Sequence, residues 1–190
     1  MTRKFAHMTA TLSTTPFPFL FNDHWYVLFL AGVFFVLLFM SRNTRHLKSI
    51  HDIDRFSVGS YMLPLSIYLT FLISFRIGDP FLFILPMLVL AISDPLAGIF
   101  GVSITIGNSK IRIFSRTLEK TYAGSLTFFI SSLLISMIAI SIRNWYLGIE
   151  TFFLAGAVAL VGTIVEMLSP KGSDNLSVPL SILAVLVVLN

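Results

Sequence analysis

Asp94-Pro95-Leu96-Ala97-Gly98-Ile99-Phe100-Gly101 closes an apolar run that begins at Phe81. A carboxylate at the centre of a membrane helix costs about 2.5–3.5 kcal/mol on insertion scales. Phe81 to Phe100 therefore reads as a membrane helix with one expensive acid. A glycine-punctuated basic loop follows, with Lys110, Arg112, Arg116 and Lys120, and it leads into Thr121-Tyr122-Ala123-Gly124-Ser125. A buried acid beside a cationic loop suggests a metal ion and phosphates. Taken alone, Asp94-Pro95 reads equally as a helix break at a membrane boundary.

Composition agrees with the membrane reading. The 190 residues are 56% hydrophobic and 12% charged, where soluble domains average about 25% charged. There are no cysteines, which excludes disulfides and thiolate metal sites. His7, His24, His46 and His51 show no zinc spacing. Arg3 and Lys4 precede Thr-rich sequence, unlike the clean apolar core of a cleavable signal peptide. The fold expected is an all-α polytopic membrane protein forming one domain over residues 1–190.

A helix needs about 20 apolar residues to cross a bilayer. Spans are expected at about 6–21, 25–40, 58–75, 80–100, 123–141, 150–168 and 175–189, a bundle of about seven. Alternate connections then carry the cations. The N-terminus and the 41–57, 101–122 and 169–174 loops hold eleven of the 13 Lys and Arg residues; Arg76 and Arg143 lie on the other side. The positive-inside rule makes the N-terminus and these loops cytoplasmic and puts the C-terminus outside. Topology thus accounts for the net charge of +4 without nucleic acid. Ile104, Ile106, Ile111 and Ile113 alternate with polar residues around Gly107-Asn108. That pattern fits a small cytoplasmic β-hairpin holding Lys110 and Arg112, or an irregular loop.

Three acids fall at this basic face: Asp94, Glu166 and Asp174. Acids in membrane helices usually face an interior cavity and mark function. Separately, Asp174 reads as the N-cap of the last helix, and Glu166 as an ion-pair partner of Lys171. Together they suit Mg²⁺, which keeps several waters and bridges phosphate oxygens, while Lys and Arg neutralise phosphate. Ala97, Gly98 and Gly101 allow close approach of backbone or ligand. No P-loop and no Gly-x-Gly-x-x-Gly is present.

Four segments in order resemble the CTP-dependent membrane lipid-alcohol kinases: the dolichol, phytol, farnesol and diacylglycerol kinases, related to phosphatidate cytidylyltransferases. They are Arg3-Lys4-x-x-His7, Asp94-x-x-Ala97-x-x-x-Gly101, Lys120-Thr121-Tyr122-Ala123-Gly124-Ser125, and Glu166 followed by Asp174-Asn175-x-x-x-Pro179. The match spans essentially the whole chain. It departs at Ser93-Asp94-Pro95, where many relatives have Gly-Asp and a small or polar residue, which leaves the local backbone open.

The resemblance implies transfer of the γ-phosphate of CTP to the hydroxyl of a membrane lipid alcohol. Asp94 and Asp174 are expected to hold Mg²⁺, with Glu166 a further ligand or the base. Lys120, Arg3 and Lys4 are expected at phosphate. Gly98, Gly101, Thr121 and Gly124 are expected around the nucleotide, and Asn175 beside a metal ligand. CTP rests on the resemblance alone. The alternatives are cytidylyltransferase chemistry at the same site, a small transporter, and a structural membrane subunit.

Overall fold

The computed structural model describes residues 2–41, 59–104, 108–113, 116–170 and 172–189. The described residues form eight helices and one hairpin, in chain order α1 (Thr2–Leu12), α2 (Phe17–Leu20), α3 (His24–Ser41), α4 (Gly59–Ile77), α5 (Phe81–Ser103), β1 (Lys110–Ile113), β2 (Arg116–Thr121), α6 (Tyr122–Asn144), α7 (Ile149–Leu168) and α8 (Asp174–Leu189).

Helix α5 is the centre of the packing. One face joins α6, α7 and α8 in a core of Leu82, Leu85, Val89, Phe128, Val158, Ile182 and their neighbours. Phe83 and Met87 face the other way and pack with Val27 and Phe71, bringing α3 and α4 onto α5. The Asp79 Oδ1 atom accepts the Phe81 backbone N–H and starts the helix. Pro86 and Pro95 both lie inside it. Each removes one backbone donor, yet the helix runs on to Ser103, so the backbone left open at Pro95 is helical. Neighbouring helices make such residues tolerable in membrane spans.

Among the described residues three helices, α5, α6 and α7, are long and apolar enough to cross a membrane. The apolar stretches of α3, α4 and α8 are shorter. These helices mark an integral membrane protein. The single helix expected over 6–21 is corrected: the chain breaks between α1 and α2. Pro16 and Pro18 cannot donate to a helical ladder. The Ser13, Thr14 and Thr15 hydroxyls donate instead to the carbonyls of Ala10, Thr11 and Leu12, an alternative to helix that such residues favour.

The hairpin forms, but not around Gly107-Asn108. Its strands pair Lys110 with Thr121 and Arg112 with Thr117, so both strands lie beyond Asn108. Asn108 is used otherwise. Its Nδ2 donates to the carbonyls of Gly101 and Ile104, and its Oδ1 accepts the Ala123 N–H. It therefore ties the end of α5 to the start of α6. Gly107, the 42–58 segment with His46 and His51, and Lys171 lie outside the described residues.

The bundle has two distinct ends. At one, Arg143 Nη2 lies 3.0 Å from Asp79 Oδ2, and the guanidinium stands 4.7 Å over the Phe81 ring. At the other, Asn175 Nδ2 donates to the Gly59 carbonyl at 2.8 Å. A Cβ on Gly59 would meet both Asn175 Nδ2 and the Gly172 backbone at 2.9 Å. Lys120, Glu166 and Asp174 gather at this second end.

Candidate active site

Three helices and the hairpin each bring one charged group to this end. Lys120, at the close of β2, is central. Its Nζ lies 2.6 Å from Glu166 Oε1 and 2.9 Å from Asp174 Oδ2. Glu166, in the last turn of α7, has a side chain only 3% exposed. Asp174 is the first residue of α8, and its Oδ1 accepts the Asn175 N–H. Asp94 on α5 is close enough to act electrostatically on Lys120. Glu166 pairs with Lys120; Lys171, its partner in the plainer reading of the sequence, lies outside the described residues.

Burial alone would pull the Lys120 ammonium down, since a charge loses its hydration. Asp174 and Glu166, helped by Asp94, reverse this and hold its pKa well above the ordinary lysine value. The ammonium is therefore a permanent cation set among three carboxylates.

The first turn of α6 fixes the geometry. Thr121 caps it, its Oγ1 accepting the Gly124 N–H at 3.2 Å. A Cβ on Gly124 would meet the Ala97 carbonyl at 3.0 Å, and one on Gly101 would meet Thr121 Oγ1 at 2.9 Å. Gly101, Thr121 and Gly124 therefore serve close contact between α5 and α6. Asp94, Ala97, Gly98 and Gly101 follow helical spacing and share one face of α5. Asn175 joins α8 to α4 through Gly59. Ser125, given no role from the sequence, donates to Glu166 Oε2 at 3.3 Å; its place directly after Gly124 in the Lys120–Ser125 segment is the signal that could have found it.

Arg3 and Lys4 stand in the first turn of α1. That helix packs against α5 and leads to Phe17, whose ring stacks on Phe83 near the start of α5. Beside the site, Ser109, Lys110, Arg112, Thr117 and Tyr122 line a cleft of ≈ 500 Å³.

Among the described residues no three His, Asp or Glu side chains converge to hold a metal unaided; Lys120 stands between two of the acids. The donor set still fits Mg²⁺, which takes one or two carboxylates and completes its shell with waters and phosphate oxygens. The acids outnumber the one ammonium, which suits a dication in this cluster.

The chain is similar to the phytol kinase of Synechocystis sp., with 31% identity over 152 residues, covering 80% of this chain and 63% of that protein. It is also similar to an uncharacterized protein of Rickettsia prowazekii, with 40% identity over 97 residues, or 50% of this chain and 42% of that one. It thus spans less than two thirds of the length of either relative. No family model matches, and no solved structure matches.

Proposed function

We propose that the chain is a lipid-alcohol kinase, transferring the γ-phosphate of a nucleoside triphosphate, CTP, to the hydroxyl of a membrane-dissolved alcohol such as phytol. The observation that carries this reading is the Lys120 ammonium held between Glu166 and Asp174 at the cation-rich end of an apolar bundle. Similarity to a phytol kinase supports the substrate class. Phosphoryl transfer is mostly positioning and electrostatic stabilisation, and this end of the molecule offers both.

In this reading the alcohol oxygen bonds to the γ-phosphorus as the bond to the bridging oxygen breaks. A nucleoside diphosphate leaves, and Glu166 accepts the hydroxyl proton. Lys120, Arg3 and Lys4 stabilise phosphate, and the cleft with Lys110 and Arg112 takes the rest of the donor. Asp94 and Asp174 are the residues to hold Mg²⁺, which would neutralise the transferring phosphates when bound. In this reading the α1–α2 segment and each helix from α3 to α8 cross the membrane once. We therefore place the N-terminus and the Lys120 end in the cytoplasm and the C-terminus outside, following the cation bias. Reporter fusions after Lys110 and at Asn190 test this: opposite sides are expected, and the same side overturns it.

The test of function is purified protein with α-labelled and γ-labelled CTP or ATP, offered phytol, farnesol, dolichol and diacylglycerol. Only the γ label should reach lipid. The α label in lipid would instead establish cytidylyltransferase chemistry, and no label in any lipid would end the kinase reading.

A further inference from the structure

We propose that Ser125 is a positioning residue that sets the orientation of the Glu166 carboxylate; the inference rests on the kinase reading above. The two oxygens of Glu166 are held by different donors. Lys120 Nζ takes Oε1 at 2.6 Å, and the Ser125 hydroxyl takes Oε2 at 3.3 Å. Two donors on two oxygens fix the plane of the carboxylate, where one would leave it free to turn.

Ser125 is itself pinned. It is 5% exposed and Glu166 2%, so solvent has little access to replace the contact. The residue before it, Gly124, lies so close to α5 that an added Cβ would be 3.0 Å from the Ala97 carbonyl. Ala97 is one turn beyond Asp94 on that helix. Gly124 and Ser125 thus form a two-sided spacer. The glycine sets the distance to the helix carrying Asp94, and the serine reaches the helix carrying Glu166. A base must present its lone pair along the path of the departing proton, and small misorientation is costly in rate. Ser125 touches no reacting atom; it acts through Glu166.

The experiment compares the parent protein with Ser125→Ala and Ser125→Thr in three readouts. In turnover, Ser125→Ala is expected to lower kcat roughly 10-fold or more, from loss of a hydrogen bond to a charged group, with the KM for nucleotide unchanged and activity largely restored by Thr. In detergent melting, both variants are expected near the parent. In isotope-edited infrared spectra, the Glu166 carboxylate band, identified by its absence in Glu166→Gln, is expected to shift in Ser125→Ala and return in Ser125→Thr. An unmoved band overturns the inference, and so does parental kcat in Ser125→Ala. Loss of activity that merely tracks a fallen melting temperature, without rescue by Thr, overturns it as well. A parent that phosphorylates no alcohol defeats the kinase reading instead; a shifted band would then leave Ser125 as a structural contact only, and the positioning role falls with it.

Discussion

The Lys120 ammonium lies 2.6 Å from Glu166 Oε1, joining the end of the hairpin to the last turn of α7, with the carboxylate side chain only 3% exposed. Removing one partner of a buried pair leaves an uncompensated charge and costs about 3–5 kcal/mol. The Lys120 side chain keeps 24% exposure, so solvent softens the loss, and roughly 2 kcal/mol is expected for Lys120→Met. Chemical denaturation in detergent measures it. The double variant Lys120→Met/Glu166→Gln should recover most of the stability and none of the activity. A single variant as stable as the parent would mean that the pair carries no structural weight.

The raised pKa of Lys120 has a chemical consequence. A lysine whose folded pKa exceeds its unfolded value stabilises the fold at every pH below the unfolded value, about 10.4. That contribution is lost only as pH rises through the higher, folded value. Stability from this pair is therefore expected to persist unchanged from neutral pH to about 10. Amine reagents attack only the neutral form. At pH 9, competitive acetylation followed by mass spectrometry should label Lys120 much more slowly than Lys110, which is exposed. Equal rates would contradict the doubly paired ammonium.

Gly101 and Gly124 face each other across α5 and α6, and a methyl group at either position meets its neighbour at 3.0 Å or less. Overpacking of this kind costs about 1–3 kcal/mol. Gly101→Ala and Gly124→Ala are each expected to lower the melting temperature and the turnover together, because the shift moves Thr121 and Ser125. Gly156→Ala, in open space, should leave both unchanged. Melting curves and initial rates of the three variants check this.

Much of this arrangement was legible in the sequence, for identifiable reasons. Apolar runs long enough to span a bilayer announce themselves, so the helices beyond the first begin and end close to the expected limits. Asp94, Glu166 and Asp174 stood out because acids are rare in such runs. What was not legible depends on side chains crossing between elements. The Lys120 contacts reach residues distant in the chain, and no spacing rule selects them over Lys171. Gly107-Asn108 carries a turn signal, yet Asn108 bonds across to α5 and α6 and the strands pair beyond it. The first helix broke because three consecutive hydroxyl side chains compete with its ladder just before Pro16. Gly101 reads as room for close approach of backbone or ligand, and the structure shows the backbone approach, α6 packing against it.

Asp94 is the most exacting test of the proposed site. It lies within α5, a helix buried on two faces by two separate clusters, and its charge acts on Lys120. Asp94→Asn keeps the size and much of the hydrogen bonding of the side chain. It removes the negative charge, which is also the costly part of placing the residue in an apolar helix. The variant is therefore expected to insert and melt like the parent, or slightly higher. If Asp94 holds the cation that neutralises the transferring phosphate, turnover should fall by roughly 10²-fold or more, as when a preorganised electrostatic group is lost. A residue that only accommodates the helix at Pro95 predicts the opposite, since an amide does that equally well. Asp23→Asn is the control. Asp23 is half exposed, accepts the Trp25 N–H at the start of α3, and lies near the end of the bundle away from Lys120, because the adjoining His24 contacts Phe75. Asparagine caps helices as well as aspartate, so this variant should match the parent in both melting and turnover. Measuring expression, melting temperature, turnover and Mn²⁺ affinity in the two variants separates the cases. Weakened Mn²⁺ binding with lost turnover in the Asp94 variant alone supports the assignment, and near-parental turnover there removes Asp94 from the site.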